Sequence, residues 1–270
     1  MKSREKRIKS GNQLEVEIYP VTEHGHRHDR KRKLSRPEQQ ALNEKNARKS
    51  FIRLVNTNFV NGDIIITLEY NKDKRPSSYK QISRDVQNYI RRIKHYRNKH
   101  DLPIIKYVYV IELQGVDHWH CHMIMSKIDR DVAESLWHNS DFVNSKSFQP
   151  TDQDGGEAIA RYFMGQKGNK DVKKGCWRRW NSSKNLKQPT EEIKDRTHTR
   201  SGLARIARER IDDRIYWERK HKGYRFISAT PTYNEFNGWW YIYVKMYRDK
   251  SLDTLQRHST RHKRVTQLII

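Results

Sequence analysis

The run Tyr107-Val108-Tyr109-Val110-Ile111-Glu112-Leu113-Gln114-Gly115-Val116-Asp117-His118-Trp119-His120-Cys121-His122-Met123-Ile124-Met125 decides how this chain folds. Two strand-forming segments flank Gly115-Val116-Asp117, a common three-residue hairpin loop. With that loop, Glu112 faces His120 and Gln114 faces His118. Successive side chains on a strand point to opposite faces. Tyr107, Tyr109, Ile111, Leu113, Trp119, Cys121, Met123 and Met125 therefore share an apolar face suited to packing on helices. Glu112, His118, His120 and His122 share the other. Cross-strand neighbours lie close enough to hold one ion. Two imidazoles and a carboxylate with open positions suit Mn²⁺ or Mg²⁺ in use, and Zn²⁺ or Ni²⁺ by affinity. His118 sits at the loop edge and ranks below His122, and Glu69 is an alternative third ligand.

Outward from the hairpin, Asp63 to Tyr70 follows the turn pair Asn61-Gly62 and is rich in β-branched residues, which predicts a buried strand. Tyr79, Ile82, Val86, Tyr89, Ile90, Ile93 and Tyr96 recur at three and four, the spacing of a helix that Ser77 or Ser78 can cap. A helix from Pro37 to about Val60 leads into this region. After the hairpin come a short helix near Asp131–His138, a strand within Phe142–Phe148, and a helix from Glu157 to about Gly165 behind Gly155-Gly156. Strand, helix, strand, strand, helix, strand, helix describes an α+β layer with helices on an antiparallel sheet. Further on, Leu203 to Glu218 reads as one Arg-rich helix with Ile206, Ile211 and Ile215 along a stripe. Two more strands flank the turn at Asn237-Gly238. The expected organisation is a basic mobile arm over 1–36, a domain over 37–247 with its core at about 50–170 and a basic C-terminal extension, and a basic tail over 248–270.

Charge narrows the class of partner. The chain carries 56 Lys and Arg against 32 Asp and Glu, a net +24 over 270 residues. Such an excess favours a polyanion, because each neutralised phosphate releases a counterion. Two cysteines, Cys121 and Cys176, exclude a disulfide framework or a multi-cysteine zinc module and suit a reducing compartment. No apolar run is long enough to span a bilayer. The first residues lack the apolar stretch of a signal peptide. A cytoplasmic location with no membrane partner is expected. No phosphate-binding Gly-rich loop of the motor type occurs.

A metal beside a nucleic-acid surface can activate water or orient a phosphate for a protein nucleophile. Tyr162, in Glu157-Ala158-Ile159-Ala160-Arg161-Tyr162-Phe163-Met164-Gly165, has small residues Ala158 and Gly165 on its own helical face. Ile159, Phe163 and Met164 can supply the buried side, leaving Tyr162 open to a substrate. A protonated phenol is a weak nucleophile, and polarisation of the phosphate by a metal compensates. Arg161, Arg178, Arg179, Trp177 and Trp180 combine charge and stacking capacity, which suits single-stranded nucleic acid.

Taken together, these elements resemble the rolling-circle replication initiators of the HUH endonuclease superfamily, in the compact type of Gram-positive phages, plasmids and integrative elements. His120-Cys121-His122 matches the His-hydrophobic-His motif. Ile66-Thr67-Leu68-Glu69-Tyr70 is similar to the first motif, and Ala160-Arg161-Tyr162 to the third. Ser183-Lys184-Asn185-Leu186-Lys187-Gln188-Pro189 also resembles that group. The resemblance covers about residues 50–170. It implies a five-stranded antiparallel sheet flanked by helices and Glu112 as acidic third ligand. It further implies metal-dependent nicking at an origin hairpin, with Tyr162 joined to the 5′ phosphate and a free 3′ hydroxyl as primer. Many relatives carry a lysine or a second tyrosine one turn after the first. Here those positions are Gly165 and Gln166, so the enzyme reads as single-tyrosine, with Lys167 or Lys170 as the assisting lysine. No helicase region is recognisable, which implies dependence on a host helicase and DNA polymerase in a bacterial cytoplasm. Rival readings are a relaxase or transposase of the same superfamily, a nuclease that uses water, and a non-enzymatic DNA- or RNA-binding protein with a structural ion.

Overall fold

Helix α2, Tyr79–Lys99, starts where the Ser78 hydroxyl accepts from the Gln81 amide, and it buries Ile82, Val86, Tyr89, Ile90 and Ile93 along one stripe. That stripe lies on a sheet built from β3 (Ile64–Leu68), β4 (Tyr107–Gln114), β5 (His118–Met125), β6 (Asn144–Ser147) and β7 (Asn181–Ser182). The strand order is β6-β3-β5-β4-β7, and every pairing is antiparallel. This computed structural model describes residues 1–22, 37–165 and 180–249.

The sheet separates two cores. On one face Tyr107, Tyr109, Ile111, Trp119, Cys121, Met123 and Met125 meet α2, together with Ala133 of the short helix α3, Arg130–Ser135. On the other, Val108, Val110 and Ile124 meet Phe51, Val55 and Phe59 of α1 (Pro37–Asn58) and Ala160 and Phe163 of α4 (Glu157–Gly165). The Ser183–Gln188 segment closes the sheet edge. The Ser183 amide donates to the Tyr107 carbonyl, and the Asn58 amide group donates to Lys187 O while its oxygen accepts from Lys187 N. Trp180 packs against Phe51 with ring centroids 5.6 Å apart, so its indole serves this core as well.

The chain divides into two units, Pro37–Gln188 and the two ends, Met1–Arg36 with Pro189–Ile270. The second unit corrects the sequence reading in three places. Residues 2–21, expected as part of a mobile arm, form β1 (Lys2–Ser10) and β2 (Gln13–Val21) around Gly11, whose φ of 58° suits the turn. The expected 37–247 domain is split at residue 188, since β8 (Thr190–Asp195), α5 (Arg200–Glu209), α6 (Arg214–Lys220), β9 (Tyr224–Asn234) and β10 (Trp239–Arg248) join β1 and β2. Their sheet runs β8-β1-β2-β10-β9. Finally, the expected single helix over Leu203–Glu218 is two helices, with Asp213 capping the second. Leu203, Ile206 and Ala207 are buried, and Ile215 is exposed. Of the expected 248–270 tail, Arg248 ends β10, and residues 250–270 lie outside the described residues.

Charge enters the terminal unit's interior in a paired form. Glu5 accepts from Arg7 and from Lys220, each at 2.8 Å, and Lys220 Nζ lies 2.9 Å from His198 Nε2. Burial, with Lys220 beside His198 and Arg7 beside His221, lowers both histidines to about 4. The unfolded chain, whose histidines titrate near 6.5, therefore takes up protons before the folded one does. Stability present above about pH 6.5 should fall as pH is lowered towards 4. Urea midpoints recorded across that window should decline. His221→Phe, which keeps the stack on Trp217, should flatten the decline; an equally steep decline in the variant would refute the assignment.

Candidate metal centre and its tyrosine

The hairpin register pairs Glu112 with His120 and Gln114 with His118. This is the register read from the loop length. Glu112, His120 and His122 are all buried, at 4, 5 and 2 % exposure, and their ligand atoms lie within 4.8 Å of one another. Glu112 Oε2 is 3.5 Å from His120 Nε2 and 3.7 Å from His122 Nε2. These separations exceed a hydrogen bond. They are close to the spacing of two atoms that share a tetrahedral ion at about 2.1 Å each, which is about 3.4 Å.

The outer ring nitrogens fix the tautomers. His122 Nδ1 lies 3.1 Å from Thr67 Oγ1, and His120 Nδ1 lies 3.4 Å from the His118 carbonyl oxygen. A carbonyl can only accept, so His120 Nδ1–H donates and Nε2 carries the lone pair. With the Nδ1–H of His122 donating to the Thr67 hydroxyl, its Nε2 is likewise a lone pair. That atom is buried without a hydrogen-bond partner. A buried orphan aimed at a carboxylate is costly unless something else sits between them, and a divalent cation fits that position. Burial pushes the Glu112 carboxyl up, and the His120 and His122 imidazoles beside it outweigh that, so its pKa is lowered overall. It is therefore an anion ready to ligate.

Helix α4 brings the tyrosine to this set. The Tyr162 ring centroid is 5.0 Å from that of His122, and Phe163 stacks on the same imidazole at 5.3 Å. Phe163 is buried and Tyr162 is 51 % exposed, so consecutive residues of one helix press on His122 from the core side and the open side. The helix can approach because of its start. Gly155 has φ 59°, and the Gly156 amide donates to Asn56 Oδ1 of α1 at 2.8 Å. A Cβ on Gly156 would lie 2.7 Å from Phe148 Cζ and 2.8 Å from Val55 Cγ1.

The other residues singled out by sequence fall as follows. His118 is partly exposed at the hairpin end, with its ring 5.6 Å from that of His120, and it is outside the three-residue set. Glu69 is exposed beyond the end of β3 and is likewise outside it. Arg161 is exposed and donates to Glu157 one turn earlier. Lys167, Lys170, Cys176, Trp177, Arg178 and Arg179 lie outside the described residues. Cys121 is fully buried, and burial raises its thiol, which makes it a packing residue. Sequence reasoning missed the roles of Thr67 and Phe163 against His122. Thr67 pairs with His122 across β3 and β5; the signal was present in Ile66-Thr67-Leu68 but depends on knowing which strand neighbours β5.

Residues 63–178 match a family of replication-associated proteins, the ORF2 type. The match contains Glu112, His120, His122 and Tyr162 and covers less than half of the chain, so it stands as a similarity of the central unit that supports a role in replication. No curated protein and no solved structure matches. Among the described residues no helix is long and apolar enough to cross a membrane.

Two substitutions test this geometry. Thr67→Val should weaken Mn²⁺ binding by about tenfold, the usual scale for a residue that orients a ligating imidazole, whereas replacing both His120 and His122 with Ala should remove it; titration calorimetry with Mn²⁺ reads both. Gly156→Ala should cost about 1–3 kcal/mol of stability, as for an overpacked core, measured by urea unfolding. An unchanged midpoint would mean that α4 is free to shift.

Proposed function

We propose that the central unit is an HUH-type nickase that initiates rolling-circle replication. The observation that carries this reading is the half-exposed Tyr162 ring packed 5.0 Å from His122, one member of the buried Glu112-His120-His122 set. The family similarity over 63–178 supports it.

Glu112, His120 and His122 would hold a divalent cation, Mn²⁺ or Mg²⁺. Bound there, such an ion supplies Lewis-acid polarisation of a phosphate. Tyr162 supplies the nucleophile. Its phenolic oxygen bonds to the scissile phosphorus, the bond from phosphorus to the 3′ oxygen breaks, and the phenolic proton is lost while the departing 3′ oxygen gains one. The 5′ phosphate stays on Tyr162 as a phosphotyrosine ester, and the 3′ hydroxyl primes synthesis. One phosphodiester is exchanged for another, so no external energy source is required and the strand can be rejoined by the reverse step. Phe163 and Thr67 position His122; they do not touch the reacting atoms.

Lys167 and Lys170 are assigned to steadying the phosphate, and Arg161, Trp177, Arg178 and Arg179 to contacts with the single strand. The partners in this reading are an origin hairpin, a host helicase and a host DNA polymerase, in the cytoplasm of a bacterial cell.

Incubation with Mn²⁺ and labelled single-stranded oligonucleotides tiled from the DNA beside the gene should give a protein–DNA band that survives denaturation. Tyr162→Phe should abolish the band. His120→Ala with His122→Ala should abolish it while salt-sensitive DNA binding persists. A wild-type protein that forms no such band, or an unchanged band with Tyr162→Phe, would sink the tyrosine mechanism.

A further inference from the structure

The outer face of α2 has no part in the site above. The apolar stripe of this helix covers the side of the sheet opposite to α1 and α4. Its solvent side bears Lys80, Arg84, Arg91, Lys94 and Lys99, all exposed, with Arg92 half-buried beside them. At 100° per residue, Lys80, Arg84, Arg91 and Lys99 fall within a single arc of roughly 100°, a continuous stripe along the helix. The polar residues between them in that arc are Asn88, His95 and Asn98. Asp85 is the only acid in the helix, and it is half-buried with the Tyr70 hydroxyl donating to it at 3.0 Å. Among the described residues, no acid forms an ion pair with these cations.

A cationic face of this kind has no structural use within the unit. Unpaired like charges at helical neighbour spacing are mildly destabilising, so their presence asks for a partner. At its C-terminal half the stripe becomes concave. Arg91, Arg92, His95, Tyr96, Lys99 and His100 line a cavity of about 560 Å³ floored by Leu136 of α3. The Arg92 guanidinium is tied at the wall by donation from Nη1 to the Leu136 carbonyl at 2.9 Å. A guanidinium held in this way keeps further N–H groups for phosphate oxygens.

The shape selects the partner. Single-stranded nucleic acid is held by aromatic platforms as well as charge. Here the one aromatic side chain near the cations, Tyr96, is stacked on His100 at 4.3 Å. The stripe from Lys80 to Lys99 runs roughly 28 Å, at about 1.5 Å per residue. That is just under one turn of duplex, about 34 Å, along which phosphate charge recurs every 1.7 Å or so.

We propose that the outer stripe of α2, centred on Arg84, Arg91 and Lys99, is a docking surface for the phosphate backbone of double-stranded DNA. It lies on the opposite side of the sheet from Tyr162, so one protein would grip duplex with one side of its central unit and the strand to be cut with the other. That the duplex adjoins the cleaved strand rests on the proposed nicking function; the stripe's preference for duplex does not.

The test measures duplex binding in EDTA, which removes metal chemistry from the readout. Anisotropy of a labelled duplex, followed between about 50 and 200 mM salt, is compared for wild type and Arg84→Ala/Arg91→Ala/Lys99→Ala. The triple variant should bind duplex at least tenfold more weakly and should lower the slope of log affinity against log salt by about 2.7, three phosphate contacts at about 0.9 each. The charge-conserving set Arg84→Lys/Arg91→Lys/Lys99→Arg should restore most of that slope, which a merely structural role would not predict. Formation of the covalent band on single-stranded oligonucleotide should be unchanged in the triple variant, and matched thermal melting shows that it is folded. Unaltered duplex affinity and slope in the triple variant would overturn the proposal. So would loss of the single-strand reaction to the same extent, which would place the stripe on the path of the cut strand. If wild type forms no covalent band yet the triple variant loses duplex binding, the nickase reading fails and the docking surface stands.

Discussion

The central unit depends on the register of one hairpin. With Glu112 opposite His120, every apolar residue of β4 and β5 at an odd position enters the α2 core, and the three polar side chains at even positions converge. A slip of one residue on one strand would exchange its two faces. It would bury imidazoles against Ile90 and expose methionines. The metal set and the hydrophobic core are thus specified by the same pairing, and neither can be lost without the other.

Around that pairing the second face of the sheet is divided between packing and chemistry. Val108, Val110 and Ile124 are covered by α1 and α4, while the same face towards the loop end carries the carboxylate and imidazoles. Helix α4 belongs to both regions. Phe163 closes the core and Tyr162 leans over the histidines. The backbone freedom at Gly155 and the missing side chain at Gly156 let the helix sit close enough for one residue to do each task.

Much of this was legible from residues alone. The hairpin, α2 and its Ser78 cap, and the helix bearing Tyr162 followed from periodicity and loop length, because local rules govern them. Long-range pairing was less accessible. Thr67 is an ordinary strand residue until β3 is known to lie beside β5, and only then does it meet His122. The Lys2–Val21 hairpin was hidden by its composition. Its period-two signal, Leu14, Val16 and Ile18, is clear, but β1 carries Lys, Arg and Glu, and the average over the segment resembles a solvated arm. Glu5 can be buried because Arg7 and Lys220 meet it, and Lys220 lies in another part of the chain. The break between α5 and α6 within Leu203–Glu218 shows the same limit, since Asp213 caps a new helix where the charge pattern alone reads as continuous.

The terminal unit also has a history imposed by its connectivity. Its strands come from both ends of the chain, and Glu15 and Tyr243, joined by a hydrogen bond of 2.6 Å, are 228 positions apart. At a synthesis rate of about 5–20 residues per second, β2 leaves the ribosome roughly ten to forty-five seconds before the strand it needs. Throughout that interval the β1–β2 hairpin has one apolar face without β10, α5 or α6 to cover it, whereas the central unit, whose elements are contiguous, can complete its core as it emerges. The lysines and arginines crowded onto β1 then have a use before folding ends: they keep an early, half-finished hairpin from pairing with another like it.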